Sequence, residues 1–268
     1  MTAPTPLFVE FEGRPPITLS ALEFDVLTDH LGIDPLPLVL KVPSPGRTTR
    51  ERATLVAQAW QSLAHRGLGG PVDVDPRTES LLWLLPRPDR EVDARLWHGA
   101  PIRALAATTG DKAVLAVLRD NQLTLTEAEP TGLPRHALSV LPPHPPGPGH
   151  SVPLPAPALE AAAKDPHLEF AKALHAQGIR PADATTLADM ITEVTAHGRL
   201  GTATRDRWGK RHRTPTVISY FDTPQGRYLQ TRRPSPDGTP WATISPSTPR
   251  NLLHQVTELL DQSQNRPQ

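Results

Sequence analysis

The residues with the strongest capacity for binding chemistry form a dense basic run late in the sequence. The run comprises Arg205, Arg207, Trp208, Lys210, Arg211, His212 and Arg213. Cations interleaved with an aromatic ring are typical of phosphate binding, because the cations neutralise phosphates and the ring can stack on a base. Yet the chain balances 28 basic residues against 28 acidic ones, so it has no general attraction to nucleic acid. The run predicts a solvated loop between two strands, with a nucleic-acid-binding or regulatory segment at residues 205–213 as the alternative.

No other set of residues assembles into a catalytic or metal-binding site. Asp89, Glu91 and Asp93 alternate with apolar residues, as acidic side chains do on the solvent-facing edge of a strand. His144 and His150 have no carboxylate at ligand spacing and are interpreted as exposed linker residues. The chain contains no cysteine, which excludes disulfides, thiolate metal sites and a cysteine nucleophile. We therefore expect no catalytic residue, cofactor or metal.

The composition suits a cytoplasmic protein built from many short elements. Its 268 residues contain no run approaching the roughly 18–20 apolar residues of a membrane span, and the first 30 residues show no signal-peptide pattern. The 33 prolines are about twice the usual share of ~5%. Most of them lie between predicted elements, which indicates short elements with stiff connections.

The elements that must position these residues occur twice in the sequence. In the first half, three strands are predicted at residues 102–107, 113–118 and 123–126, followed by a helix from Pro134. In the second half, three strands are predicted at residues 217–221, 227–231 and 241–244, followed by a helix after Pro249. A hairpin unit of this size cannot bury its own apolar face, so the two units are expected to share one sheet.

This duplication predicts one domain that spans residues 1–268. Its parts are an N-terminal half-repeat at residues 19–141, a stiff proline-rich linker at residues 142–157 and a C-terminal half-repeat at residues 158–262. The halves are expected to be related by a quasi-two-fold axis.

Local signals place further elements. Two capping boxes, each of which begins a helix, are formed by Ser20 with Glu23 and by Thr48 with Glu51. Apolar residues at helical spacing between positions 187 and 194 predict a helix that ends at Gly198. Short apolar stretches predict two more strands, at residues 7–11 and 36–42.

Four stretches of the chain match a known pattern. They are LSALEFDVLTDHL at residues 19–31, PLVLKVPSPGRTTRER at 37–52, AHRGLGGP at 64–71 and FDTPQGRYL at 221–229. In order and spacing they closely resemble the EspG family of ESX, or type VII, secretion-associated proteins of actinobacteria. The resemblance extends from about residue 19 to residue 260, and its motifs are structural caps and turns instead of catalytic signatures.

The resemblance implies an α+β fold with a central antiparallel sheet flanked by two helical clusters. It also implies a function. Proteins of this family are cytosolic chaperones that bind the helical tip of the PPE partner in PE/PPE heterodimers, keep these secretion substrates soluble and pass them to the ESX apparatus. No catalysis, cofactor, small-molecule substrate or membrane association is implied.

The resemblance also implies which residues contact the client. The family uses a long loop between adjacent strands of the first half, which maps here to the short stretch Thr108, Thr109, Gly110, Asp111 and Lys112. Second-half contacts are expected from Arg205, Arg207, Trp208, Tyr220, Tyr228 and Gln230. For the two tyrosines, ordinary packing within the sheet is the alternative. Because the loop is short, a divergent PPE protein or a WXG100-like helical pair stays open as the client, as does a homodimer of the free protein.

Overall fold

The computed structural model describes residues 14–164, 168–235 and 238–264, and its first helices begin where the sequence predicts. Helix α1 (Ala21–His30) starts at the first capping box. There the Ser20 hydroxyl accepts the Glu23 N–H at 3.2 Å, and the Glu23 carboxylate accepts the Ser20 N–H at 2.7 Å. Helix α2 (Thr49–His65) starts at the second box. Both starts depend on hydrogen bonds between residues three apart, which is why the sequence reveals them.

Each half of the chain forms an edge strand, three helices, a meander and a closing helix. The first half consists of β1 (Ile17–Ser20), α1, α2, α3 (Pro76–Leu82), β2 (Arg90–Trp97), β3 (Pro101–Thr109), β4 (Lys112–Arg119), β5 (Gln122–Ala128), a 3-10 turn (Pro130–Gly132) and α4 (Leu133–Leu138). The second half consists of β6 (Val152–Pro155), α5 (Ala156–Lys164), α6 (Phe170–Ala176), α7 (Pro181–Met190), β7 (Ala196–Arg205), β8 (Arg211–Arg213), β9 (Ile218–Thr223), β10 (Gly226–Pro234), β11 (Pro240–Pro246) and α8 (Pro249–Gln264). The predicted meander strands and closing helices are confirmed.

One antiparallel sheet of 11 strands joins both halves. Within the described residues its order is β1, β5, β4, β3, β2, β7, β9, β10, β11, β6, with the short β8 paired to β7. Reading outward from the β2–β7 pair, each side shows its own meander followed by its own N-terminal edge strand. Two copies of one unit would produce this order. The α+β class is confirmed, and the quasi-two-fold repeat stays a prediction.

The β2–β7 pair forms the seam between the halves. Eight antiparallel residue pairs run from Arg90 opposite Thr204 to Trp97 opposite His197. Because residues that face each other across a ladder share a face of the sheet, this register fixes which side chains of the two halves meet.

The two faces of the sheet are covered differently. On one face, α1–α3 pack over the first-half strands around Leu105 and Leu123, and α5–α7 pack over the second-half strands around Tyr228 and Ile244. These are the two predicted helical clusters. On the opposite face, α4 and α8 share one core that includes Val92 of β2. On the first face, the helical clusters therefore cover the strands on either side, and the β2–β7 seam lies between the two clusters.

The predicted helix ending at Gly198 is wrong in its C-terminal part. Helix α7 ends at Met190, and Gly198 lies within strand β7. Glu193 has a φ of 54°, which turns the chain out of the helix, and the Thr195 N–H donates to the Asp222 carbonyl at 2.8 Å. Pairing with the sheet thus overrides an apolar spacing that continues past the real helix end.

The predicted buried strand at residues 36–42 is also wrong. This stretch forms a turn, in which the Leu40 N–H donates to the Pro37 carbonyl at 2.9 Å. Val39 and Leu40 are buried all the same. Their burial comes from packing against the first helical cluster and not from a β-ladder, which the flanking prolines could not complete. The other extra strand, at residues 7–11, lies outside the described residues.

The proline-rich segment is part of the folded core, whereas the sequence predicted a stiff linker. Val152–Pro155 forms the edge strand β6 against β11. Earlier in the segment, Gly147 packs against the Tyr228 ring, where a side chain on residue 147 would clash. Prolines are tolerated in β6 because an edge strand leaves one row of N–H groups without ladder partners.

A buried ion pair fixes this segment to β10. The Arg227 guanidinium binds the Asp222 carboxylate through two bonds of 2.7 and 2.8 Å, and both side chains are about 95% buried. Arg227 also donates to the Pro142 carbonyl at 3.1 Å, and its guanidinium lies 5.0 Å from the centroid of the Tyr220 ring. The Arg227 guanidinium thereby contacts Asp222 and the Tyr220 ring of the second meander and also the proline-rich segment.

We expect Arg227→Met to lower the free energy of unfolding by about 3–5 kcal/mol, because the substitution leaves the Asp222 carboxylate buried without a partner. Urea denaturation measures the change. The matched control is Arg233→Met, which breaks the exposed pair of Arg233 and Glu258 and should cost about 0–1 kcal/mol. Equal losses for both variants would contradict a special role for the buried pair.

We expect Gly147→Ala to destabilise the fold by about 1–3 kcal/mol, because a methyl group there must displace the Tyr228 ring. Gly70→Ala is the control, since a methyl group on residue 70 meets no atom within 4 Å. Thermal and urea unfolding of the two variants test the difference. If the Gly147→Ala protein were as stable as the control, the backbone around residue 147 or the Tyr228 ring would have to move at little cost, which would contradict this prediction.

Candidate partner-binding surface

The face of the seam between the two helical clusters forms a surface that we call the central strip. It is defined by the alternate residues Glu91, Asp93, Arg95 and Trp97 of β2 and His197, Arg199, Gly201, Ala203 and Arg205 of β7. Arg95, Trp97, His197 and Arg199 are exposed. Large side chains in the middle of a sheet are normally covered by another layer, so this exposure marks the strip as a candidate contact surface.

Two buried carboxylates anchor the basic run to the strip. Glu91 binds Arg211, whose Nε donates at 3.0 Å, and Asp93 binds Arg213, whose Nη2 donates at 3.1 Å. The carboxylates are only 6% and 5% exposed. The hydrogen bond to Asp93 raises the pKa of the Arg213 guanidinium. A side chain on Gly201 would clash with Arg213, so this glycine leaves the space through which the guanidinium reaches its partner.

The interpretation of the acidic alternation as a solvent-facing edge is therefore wrong. Strand β2 is central, because it pairs with β3 on one side and β7 on the other. Glu91 and Asp93 are buried, and the exposed members of the alternation are Arg95 and Trp97. The sequence pattern indicated which residues share a face, but the strand's neighbours and the arginines above it lie far along the chain.

The basic run forms a hairpin, β7–β8, with an ordered tip at residues 206–210. At the tip the Asp206 carboxylate accepts the N–H groups of Trp208 and Lys210, both at 2.9 Å. It also binds His212 Nε2 at 2.8 Å, and this hydrogen bond lowers the pKa of Asp206. Arg205 Nη1 donates to the Gly209 carbonyl at 2.8 Å, closing the loop from the other side. These hydrogen bonds hold the tip in one conformation without a partner.

The ordered tip presents one aromatic side chain to solvent. Trp208 is 75% exposed, and the Arg207 guanidinium lies 4.9 Å from the centroid of its ring. Tryptophan and arginine are the residues most often found at the energetic centre of protein interfaces. The geometry therefore supports a protein-binding role for the hairpin better than a purely solvated loop.

The predicted client loop at residues 108–112 is a tight two-residue turn between β3 and β4. Thr109 pairs with Lys112, and buried Thr108 donates its hydroxyl to the Lys112 carbonyl at 2.9 Å. The Gly110 N–H donates to the Asp89 carboxylate at 2.9 Å. Thr108 therefore has a structural role. Thr109, Gly110, Asp111 and Lys112 remain exposed.

The turn and the hairpin lie at the same end of the sheet. Asp89 links them, because its carboxylate holds the turn while its carbonyl accepts the Arg205 N–H at 2.7 Å. Asp111 and Lys112 also border a cleft of about 640 Å³ between the turn and α3. The structure thus brings together two groups of residues that the sequence placed almost 100 positions apart.

The second-meander residues do not join this site. Tyr220 and Tyr228 are each 1% exposed, and burial raises the pKa of both hydroxyls. The Tyr220 hydroxyl lies 2.6 Å from His98 Nε2, and the Tyr228 hydroxyl donates to the Pro148 carbonyl at 3.2 Å. Packing within the sheet is the reading that fits both tyrosines. Gln230 is half-buried on β10, two strands from the seam.

Sequence reasoning missed the apolar side of the surface. A groove of about 340 Å³ lies between the strip and the loop that follows α1. Its apolar wall is formed by Pro35, Leu36, Pro37, Leu38 and Val39, with Pro86 and Leu105. Leu38 is 76% exposed, and Trp97 is exposed at the far end of the strip. The apolar stretch is visible in the sequence, where its pattern predicts a buried strand instead of a groove wall.

The part of the chain that the structure describes contains neither a candidate metal site nor a candidate membrane-spanning helix. None of its histidine and carboxylate side chains form a group of three or more that could hold a metal ion. None of its helices is long and apolar enough to cross a membrane.

Comparisons with known proteins identify the family and a shared fold. The model of a family described as the EspG family matches residues 20–258. Among solved structures, the fold is similar to that of EspG5, a chaperone of the type VII secretion system of Mycobacterium tuberculosis, solved in complex with a PE25-PPE41 dimer. The TM-score is 0.71 at 18% identity, over 92% of this chain and 96% of that chain. No curated protein matches. The family model covers most of the sequence, and the resemblance first noted in four short stretches is confirmed: the chain belongs to the EspG family.

Proposed function

We propose that this protein is a cytosolic chaperone of type VII secretion that binds a helical PE/PPE-like client through the central strip and the β7–β8 hairpin. The observation that carries the proposal is membership of the EspG family together with a fold shared with EspG5, whose solved complex contains a PE25-PPE41 dimer. The strip and the hairpin supply the surface that such a role requires.

The physical logic concerns exposed apolar residues. A helical client that exposes apolar side chains at its tip self-associates in water, and a chaperone prevents this by covering them. Three exposed apolar side chains are available: Leu38 lines the groove, Trp97 lies at one end of the central strip, and Trp208 lies at the tip of the hairpin beyond the other end. A client tip that packs on this surface removes water from the apolar side chains of both proteins, and the core of the chaperone stays closed.

The proposed role is binding without catalysis. Glu91 and Asp93 are the carboxylates of the strip, and both are bound by arginines, so neither is available as a general base. The remaining functional groups of the surface are cations and apolar side chains, which suit recognition.

The geometry disfavours the alternative of nucleic-acid binding. Arg211 and Arg213 are paired with carboxylates of β2, and Arg205 caps the hairpin tip. Only Arg207 and Lys210 of the run project from the tip without an ion pair among the described residues. The tip of the run thus offers two unpaired cations and one aromatic ring, which are fewer than a phosphate-tracking groove provides.

Co-expression with candidate clients tests the proposal. We expect a tagged copy to co-elute in size-exclusion chromatography with a PE/PPE-like pair or a WXG100-like pair, as a 1:1:1 complex that keeps the client soluble. Mass analysis gives the composition. Failure of every such pair to co-elute at micromolar concentration would overturn the chaperone assignment.

A charge placed on the apolar wall should weaken this complex. We expect Leu38→Asp to raise the dissociation constant roughly tenfold or more, because it puts a carboxylate against the client's apolar tip. Val72→Asp is the matched control, since Val72 is also exposed but lies in the loop between α2 and α3. Titration calorimetry compares the two variants. Equal affinity of both would remove the groove from the interface.

A further inference from the structure

The surface around the seam is strongly positive in a chain whose charges balance. The central strip and the hairpin residues 206–213 together carry seven cations and three carboxylates, an excess of four positive charges. The cations are Arg95, Arg199, Arg205, Arg207, Lys210, Arg211 and Arg213, and the carboxylates are Glu91, Asp93 and Asp206. The adjacent residues do not change this excess, because the charge of Asp89 cancels that of Arg90 and the charge of Asp111 cancels that of Lys112. The rest of the chain must therefore carry the compensating negative charge.

The positive surface surrounds apolar side chains. Trp208 stands at the hairpin tip, and Leu38 lies on the groove wall. The hairpin base continues into this groove through Arg205 and Arg211, which line it. A partner that fits such a surface needs an apolar centre and an acidic border, because electrostatic complementarity requires each cation to meet an opposite charge.

The tip is ordered in advance for contact. The hydrogen bonds of Asp206 and Arg205 fix the backbone that carries Trp208, so little conformational entropy is lost when a partner docks. Because Trp208 is largely exposed in the free protein, most of the free energy from burying its ring becomes available on binding. Its neighbours Arg207 and Lys210 are exposed on either side and can reach a client's carboxylates.

We propose that the β7–β8 hairpin selects clients by the chemistry of their tip: an apolar helix end framed by aspartate or glutamate. Trp208 packs on the apolar end, while Arg207 and Lys210 pair with the carboxylates around it. This inference rests on the proposed chaperone function and specifies the client surface that the function requires. A polyanion is the competing ligand, and the structure favours an acidic protein because the groove beside the cations has an apolar wall.

The experiment measures the affinity of the full-length chain for a co-eluting PE/PPE-like pair by calorimetry, at about 50 mM and about 300 mM NaCl. We expect Trp208→Ala to raise the dissociation constant about thirtyfold or more. Arg207→Glu with Lys210→Glu should raise it about tenfold at low salt and less at high salt, because exposed charge pairs are screened.

Matched controls place the same changes elsewhere. Trp241→Ala removes another exposed tryptophan, on β11, and Arg135→Glu with Lys164→Glu reverses two exposed cations on α4 and α5. Both controls should bind within about twofold of the unmodified chain. Circular dichroism confirms that each variant folds, which is expected because every substituted side chain is exposed.

A charge reversal on the client gives the direct test. Replacing acidic residues at the client tip with lysine should weaken binding to the unmodified chain and restore binding to the Arg207→Glu, Lys210→Glu variant. If the unmodified chain binds the pair but both hairpin variants bind equally well, the inference is wrong and the chaperone function stands. If the unmodified chain binds no helical pair, the chaperone function fails as well.

A labelled single-stranded DNA and a labelled RNA of about 20 nucleotides serve as the polyanion probes. Salt-sensitive binding of either probe that disappears in the Arg207→Glu, Lys210→Glu variant would overturn the inference in favour of nucleic acid. Absence of binding at about 50 mM NaCl supports recognition of an acidic protein.

Discussion

The antiparallel pairing of β2 with β7 is the interaction on which the rest of the structure depends. Each half alone would end in an unpaired edge at β2 or β7, and such edges attract other chains. Eight residue pairs remove both edges and make one sheet of the two halves. The pairing also places Glu91 and Asp93 at the middle of the sheet, where isolated carboxylates would be costly. Arg211 and Arg213 neutralise them. Pairing of β8 with β7 places both arginines within reach of the two carboxylates.

The seam also decides how the helices are distributed. Helix α8 crosses the back of the seam, where the Thr202 and Thr204 hydroxyls donate to the carbonyls of Leu259 and Ser263 at 3.1 and 2.8 Å. On the front, the helical clusters cover the outer strands of each half and leave the middle open. One face is thereby closed by hydrogen bonds and apolar packing, and the other keeps the central strip accessible. A partner surface between two helical clusters follows from this arrangement.

The basic run illustrates how one stretch of charge serves two purposes. Arg211 and Arg213 hold the hairpin to the sheet, whereas Arg207 and Lys210 face solvent beside Trp208. In the sequence these cations look equivalent. In the fold, alternation along β8 directs two of them onto buried carboxylates, and the turn directs the others outward. The interpretation of the run as a phosphate-binding segment loses support because two of its five arginine and lysine side chains are already paired with carboxylates of the sheet.

The sequence by itself determined the local elements and the family. Capping boxes, turn residues and strand alternation act between residues a few positions apart, so they located α1, α2 and the two meanders, and the order of four motifs identified the EspG family. Only the tertiary structure decided that β2 is central, that residues 35–39 form a groove wall and that Tyr220 and Tyr228 are buried. These outcomes depend on contacts between residues distant in the sequence, such as Asp93 with Arg213, and a single sequence contains no periodic signal for such contacts.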